Sequence, residues 1–298
     1  MQALPPIQRL SPSVIRILGL NPGPFTLQGT NTYLIGNSKY RILLDTGEGK
    51  SEYLPLLDSI LKQEKCEISK IVLTHYHHDH VGGVKGILEY FKGKEIQVLK
   101  KIDKEKDEGI MEYLTEIGKE VKVEGVTLKT IDTPGHTEDH QCFYFLEEKN
   151  LFSGDCVLGN GTTIFTDLAK YLNSLEKLLN MEDRINSIYP AHGEFVEDGR
   201  EKIQEYIEHR IERENQIIEI LKGEVNSVKP IKVNGKYAYF GYDIVKFLYK
   251  SYPKEVYLPA FKLINLHLQK LLGENKVEKI IVDKPEDELY SIGWKWVN

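Results

Sequence analysis

Thr74-His75-Tyr76-His77-His78-Asp79-His80 sets four histidines and an aspartate within seven residues, directly after the apolar run Ile71-Val72-Leu73. Two apart on an extended loop, His75 and His77 aim imidazoles at one point. Asp79 and His80 turn toward a second point a few ångströms away, at the start of the next helix. Two neighbouring sites of nitrogen and oxygen ligands result, a chemistry that zinc accepts. The plain alternative, a solvated histidine cluster, is disfavoured by the rest of the chain.

Seven of the nine histidines lie between residues 75 and 192. The three outside the first cluster sit in turn-like text: Pro134-Gly135-His136, Asp139-His140 and Pro190-Ala191-His192-Gly193. Such loops at strand ends are where a rigid sheet holds ligands. Asp155, in Ser153-Gly154-Asp155-Cys156, offers a carboxylate able to bridge two cations, although a lone Gly-Asp is as often a turn. Asp45, after Ile42-Leu43-Leu44, is placed to accept the free ring N–H of a ligating histidine and so fix its tautomer; a turn-opening aspartate before Thr46-Gly47 is the alternative. His140 is expected either to support the site in the same way or to be a satisfied structural histidine. His78 is expected to be exposed, Cys156 to be a small buried hydrophobe, and Gly82-Gly83 to let a helix start pack closely on the histidine loop.

Regular elements must position these residues. Short apolar pieces at Val14 to Leu18, Asn31 to Gly36 and Arg41 to Leu44 predict three strands, and Tyr53 to Leu61 predicts a helix. Ile71 to Leu73 reads as a buried strand feeding the histidine loop, and Val84 to Phe91 has helical spacing. Val126 to Ile131, Gln141 to Leu146 and Leu151 to Ser153 read as a meander, with turns at Thr133-Pro134-Gly135 and Glu147 to Asn150. A helix at Tyr171 to Met181, a strand at Ser187 to Tyr189 and a long charged helix at Gly199 to Lys222 follow. Both element types alternating predicts sheets covered by helices. Past Gly223 the text changes: helices at Tyr242 to Tyr249 and Val256 to Leu272, then Val277 to Val282, an acidic turn at Lys284 to Glu288, and Leu289 to Val297. This is a winged-helix pattern with a two-stranded ribbon. The expected domains are 1–222 and 223–298, with helix 199–222 able to belong to either. Tyr237, Tyr239, Phe240 and Tyr242 read as a strand packed on a core, with base stacking as the other use.

With 298 residues, 41% hydrophobic and 28% charged, the chain has the composition of a folded protein, and its apolar runs fall short of a membrane span. Cys66, Cys142 and Cys156 are odd in number and lack metal-binding spacing, which argues against a disulfide framework. The net charge of −6 gives no whole-molecule attraction to polyanions. Residues 223–298, however, hold 12 lysines against 9 acidic residues. The first 44 residues contain Arg9, Arg16, Lys39 and Arg41 and no acid, weakly like a mitochondrial presequence, yet Pro5, Pro6 and Pro12 break the helix such a peptide needs.

The order His75-x-His77-x-Asp79-His80, His136, Asp155, His192 resembles the metallo-β-lactamase superfamily. Within it, Leu20-Asn21-Pro22-Gly23-Pro24, Leu27 to Leu34, Thr133 to Thr137, Phe152 to Cys156 and Gly161-Thr162-Thr163 resemble the β-lactamase-like protein two family, a eukaryotic endoribonuclease group. Ala191 stands where that family has a glycine, and Tyr76 and His78 fall in variable slots; no ligand is lost. The resemblance implies an αββα sandwich, an α/β fold, with a small C-terminal winged-helix-like domain. It implies two Zn2+ ions: His75, His77 and His136 on one, Asp79, His80 and His192 on the other, Asp155 joining them, and Asp79 also acting in catalysis. Such a pair lowers the pKa of a shared water from about 15.7 to roughly neutral and provides a bridging hydroxide without a side-chain base. Also implied are cleavage of single-stranded RNA and a location in the mitochondrial matrix, with the cytoplasm as alternative. Hydrolysis of an acyl-thioester is the rival use of the same ions, and no membrane partner is expected.

Overall fold

The computed structural model describes residues 3–283, 285 and 287–297. The chain divides into two compact units. One holds residues up to Phe165 together with Lys170–Tyr206, and the other holds Thr166–Ala169 and the chain from Ile207 onward.

In the first unit, seven strands lie in chain order in one sheet: β1 (Ile7–Ser11), β2 (Val14–Leu18), β3 (Asn31–Ile35), β4 (Tyr40–Leu44), β5 (Glu67–Val72), β6 (Gln97–Lys100) and β7 (Leu114–Glu116). β1 to β4 run antiparallel, and β4 to β7 pair in parallel. Parallel pairing needs crossovers. These are α1 (Tyr53–Glu64) between β4 and β5, and α2 (His78–Val81) with α3 (Val84–Tyr90) between β5 and β6. A second sheet has the order β12-β11-β10-β9-β8, from β8 (Glu120–Val123), β9 (Val126–Asp132), β10 (Gln141–Phe145), β11 (Asn150–Gly154) and β12 (Ile188–Pro190). Here only the β11–β12 pair is parallel, with α4 (Leu168–Leu179) in its crossover.

Successive strand residues point to opposite faces, and the apolar residues of the first sheet divide accordingly. Ile15, Ile17, Leu34, Leu43 and Ile71 pack on Tyr53, Leu57, Val84 and Ile87 of the helices. Val14, Tyr33, Ile35, Ile42, Leu44 and Val72 pack instead on Val126, Leu128, Phe143, Phe145 and Phe152 of the second sheet. A fourth layer lies on the second sheet: Tyr171 on α4 donates its hydroxyl to the Cys156 carbonyl, and Ser174 to that of Pro134. The unit is an αββα sandwich.

Apart from Thr166–Ala169, the second unit begins inside α5 (Gly199–Leu221) and continues through β13 (Ile231–Val233), β14 (Lys236–Phe240), α6 (Gly241–Leu248), α7 (Tyr257–Gly273), β15 (Val277–Ile281) and β16 (Ile292–Trp296). Its core gathers Ile217, Ile220 and Leu221 of α5 with Ile244, Val245, Ile264, Leu268, Leu271 and Trp294. By that packing helix 199–222, which the sequence leaves open to either domain, is shared, and the division between units falls at Tyr206–Ile207. The arrangement is winged-helix-like. The expected two-stranded ribbon is part of a four-stranded sheet, β13-β14-β16-β15, because β14 pairs with β16. Tyr239 and Phe240 are buried, as a packed strand requires, whereas Tyr237 is exposed. Of the expected acidic turn, Lys284 and Glu286 lie outside the described residues.

Candidate metal centre

All seven implied ligands, His75, His77, Asp79, His80, His136, Asp155 and His192, converge at the carboxyl ends of β5, β9, β11 and β12. Within the second sheet β9 and β11 run the same way on either side of antiparallel β10, and β12 is parallel to β11, so the three carboxyl ends share one side of that sheet. They form two groups: His75, His77, His136 and Asp155, and beside them Asp79, His80 and His192.

In the first group, His75 Nε2 lies 3.0 Å from His77 Nδ1, and His136 Nε2 lies 3.2 and 3.1 Å from those two atoms. Asp155 Oδ2 is 3.4 Å from His136 Nε2. In the second, His80 Nε2 and His192 Nε2 stand 3.2 and 3.3 Å from Asp79 Oδ2. Asp155 turns its other oxygen, Oδ1, to this group, 3.2 Å from His192 Nε2 and 3.5 Å from His80 Nε2. One carboxylate therefore faces both clusters, as a bridging ligand must. A tetrahedral zinc with Zn–N bonds of ~2.0–2.1 Å separates its donors by about 3.3 Å, which these spacings match.

The far sides of the rings decide the tautomers. His136 Nδ1 is 2.6 Å from the Ile164 carbonyl, so it carries the proton and Nε2 presents its lone pair to the cluster. Asp45 Oδ2 accepts from His80 Nδ1 at 2.7 Å and from the Thr74 hydroxyl at 3.0 Å. Having donated, that hydroxyl accepts from His75 Nδ1 at 2.9 Å. One aspartate thus fixes two imidazoles with their Nε2 lone pairs inward, the orientation a metal requires. Asp45 holds this position in a left-handed backbone conformation with φ 57°.

Electrostatics also fit cations. Burial and the neighbouring imidazoles hold His75 well below the usual histidine range, and they lower His77 to about 4, so both are neutral ligands. In the second cluster burial opposes charge on the imidazoles, yet the carboxylates prevail: Asp79, Asp45 and Asp155 raise His80, while Asp155 and Asp79 lift His192 to about 9. Asp79 and Asp155 are held far below the ordinary carboxylate range, burial being outweighed mainly by His80 and His192. The cluster demands positive charge, which protons supply when no ion does. His80 Nε2 and Asp155 Oδ1 are buried and without a hydrogen-bond partner, as free ligand atoms would be. Donor set, spacing, tautomers and orphaned atoms all fit two metal ions.

His140 does not ligate. Its Nε2 accepts the Asp155 backbone N–H at 3.0 Å, so Nδ1 donates to the Thr133 hydroxyl at 2.8 Å. It holds the backbone of Asp155, the residue that faces both clusters. His78 is exposed and Cys156 is buried. A Cβ on Gly83 would stand 2.2 Å from the Thr46 carbonyl oxygen, which is the close approach expected of Gly82-Gly83.

Several supporting residues escape a reading of the sequence by residue type alone. Thr74 relays Asp45 to His75. Thr30 donates to Asp79 Oδ2 at 3.0 Å and is itself gripped by Asn21 through its backbone N–H and its hydroxyl. Asn31 donates to the carbonyls of Pro190 and Gly193, on either side of His192. Threonine and asparagine are ordinary turn residues; the nearest signal was their place in the motifs at 20–24 and 27–34.

The clusters open into a cleft of about 570 Å³ between Pro24–Leu27 and the 158–164 loop. Phe25 and Ile164 on its walls are 74% and 54% exposed. A larger hollow of about 770 Å³ near Tyr40, Lys70 and Gln97 lies at the amino ends of β4, β5 and β6 and contains none of these ligands.

Known proteins are similar to this chain in sequence and fold. Residues 25–192 match the Metallo-beta-lactamase superfamily, and residues 242–284 match the Beta-lactamase associated winged helix domain. A Beta-lactamase-like protein 2 homolog of Caenorhabditis elegans is 42% identical over 98% of this chain and 92% of its own length. Its Drosophila melanogaster counterpart is 40% identical over 98% of each. A Beta-lactamase domain protein from Burkholderia ambifaria, 17% identical, superposes with a TM-score of 0.73 over 98% of this chain and 93% of that one, a likeness of fold. With its paired ligand clusters on an αββα sandwich, the chain is a metal-dependent hydrolase belonging to the metallo-β-lactamase superfamily and, within it, to the family of β-lactamase-like protein 2.

Proposed function

We propose that the chain is a dinuclear zinc endoribonuclease that cuts single-stranded RNA. The observation that carries the hydrolytic part is the split of Asp155, one oxygen toward each cluster. When bound, two zinc ions activate water near neutral pH and polarise the oxygen of the group under attack. The chain's own residues hold that chemistry in place. Asp155 would offer one oxygen to each ion, Asp45 and Thr74 lock the imidazoles, and Thr30 orients Asp79, a carboxylate lining the cleft and assigned to catalysis by the resemblance. RNA as substrate rests on the family resemblance and on the lysine excess of residues 223–298, which suits a phosphate backbone.

One feature favours the rival: Phe25, Leu27, Leu158 and Ile164 give the cleft apolar walls suited to an acyl-thioester. An unstructured RNA and a panel of acyl-thioesters, incubated with wild type and Asp79→Ala, separate the two. Internal RNA cleavage lost in Asp79→Ala supports the proposal. Thioester turnover with intact RNA overturns it in favour of the acyl hydrolase.

A further inference from the structure

Lys100, at the carboxyl end of β6, is fully buried together with Asp107 and Asp139. An ammonium has three N–H donors, and all are used here. They go to Asp139 Oδ2 at 2.5 Å, Asp107 Oδ2 at 2.8 Å and the Lys101 carbonyl at 2.9 Å. Burying three charges is a poor way to gain stability, since apolar residues of the same volume commonly do as well or better. What such a cluster does provide is fixed geometry, and here the geometry leads to the metal loop.

Asp139 belongs to the turn that carries His136 and His140. Its second oxygen, Oδ1, accepts the Thr137 hydroxyl at 2.6 Å. The Thr137 carbonyl in turn accepts the Gly135 N–H at 3.1 Å, and the Thr133 N–H closes the turn on the His140 carbonyl at 3.0 Å. A continuous path therefore runs from the end of β6 through Lys100, Asp139 and Thr137 to the residue preceding His136. Asp107 binds the same ammonium through Oδ2 and with that same oxygen accepts the Asp103 N–H at 2.8 Å, a bond within its own turn rather than one toward the 133–140 loop.

We propose that the Lys100–Asp139 ion pair is a positioning device for the metal centre, fixing the 133–140 loop so that His136 meets His75 and His77. The inference rests on the dinuclear site and is independent of the substrate. Full-length protein is titrated with zinc against a chromophoric chelator, and the absorption of the cobalt(II)-substituted form is recorded, for wild type, Asp139→Asn, Thr137→Val and Asp107→Asn. Asp139→Asn and Thr137→Val weaken one of the two zinc sites about tenfold or more and alter the cobalt spectrum, while the other site stays within about twofold. Asp107→Asn lowers thermal stability but leaves both affinities within about twofold. Should Asp139→Asn not fold, Thr137→Val and the charge-free Lys100→Met/Asp107→Asn/Asp139→Asn protein give the same readout. Unchanged affinities and spectra in the loop variants overturn the inference, and so does an equal loss in Asp107→Asn, which marks mere destabilisation. A wild type that binds no metal overturns the dinuclear site itself, and the inference with it.

Discussion

Seven side chains from four strand ends bring their donor atoms together, and three of the imidazoles, those of His75, His80 and His136, do so with their outward nitrogens already committed. Asp45 is the clearest case: it serves His80 directly and His75 through Thr74. Asp45→Ala frees both rings, so zinc affinity should fall about 10–100-fold with the fold retained; a chelator-competition titration checks this, and unchanged affinity contradicts it. The histidines were legible because few other functions collect such residues in strand-end loops, whereas Asp155, by itself as often a turn, was singled out only through the family resemblance. Thr30, Thr74, Asn21 and Asn31 were not, because a threonine hydroxyl acquires its role only from what faces it across the fold. The same holds for the interior ammonium of Lys100, since lysine in a sequence reads as surface. Gly83→Ala is a packing test: a Cβ 2.2 Å from the Thr46 carbonyl forces backbone apart, so stability should drop by at least ~1–3 kcal/mol in denaturant unfolding.

Among the elements, those with strong apolar alternation or helical spacing were read close to their observed bounds, such as β2, β10, α1 and α7. The strands β1, β6, β7, β8 and β13 were missed. β7 has three residues with two exposed, and β13 three with two exposed, so little hydrophobic pattern marks them; they form because a neighbour offers an unpaired edge. Helix 199–222 was open to either domain because α5 is a single helix by every local signal, while its partners change along its length. In its second half Glu214 lies 2.7 Å from the Lys270 ammonium and 3.4 Å from His267 Nδ1, both on α7. Burial raises the Glu214 carboxyl, but these partners outweigh it and hold it below the usual range; burial also lowers His267. Both folded-state values lie below the unfolded ones. The stability they contribute is complete above about pH 6.5 for His267 and about 4.3 for Glu214, and is lost as the pH falls through their folded values. Thermal unfolding of the C-terminal unit should therefore drop progressively on acidification from about pH 6.5, and Glu214→Gln should flatten the lower part of that profile. A melting temperature independent of pH between 7 and 4 contradicts it.

For the molecule as a whole, charge and chemistry are unevenly shared. The net charge is −6, yet residues 223–298 are lysine-rich, and Lys229 and Lys232 are exposed beside exposed Ile231 and Tyr237. If single-stranded RNA is the substrate, its affinity should fall steeply with salt. Lys229→Glu/Lys232→Glu should reduce the slope of log K against log salt by about 0.7 for each phosphate no longer neutralised; anisotropy titrations across a salt series check this, and a slope near zero in wild type contradicts it. The metal pair lies upstream of all those lysines, with no implied ligand after His192. Its existence is the claim on which everything else depends. Elemental analysis of wild type and Asp155→Ala, both purified without chelator, tests it most directly. Close to two zinc ions per wild-type chain, reduced by at least one in a folded Asp155→Ala protein, is the predicted result; a folded wild type that hydrolyses its substrate with no bound metal would contradict the account.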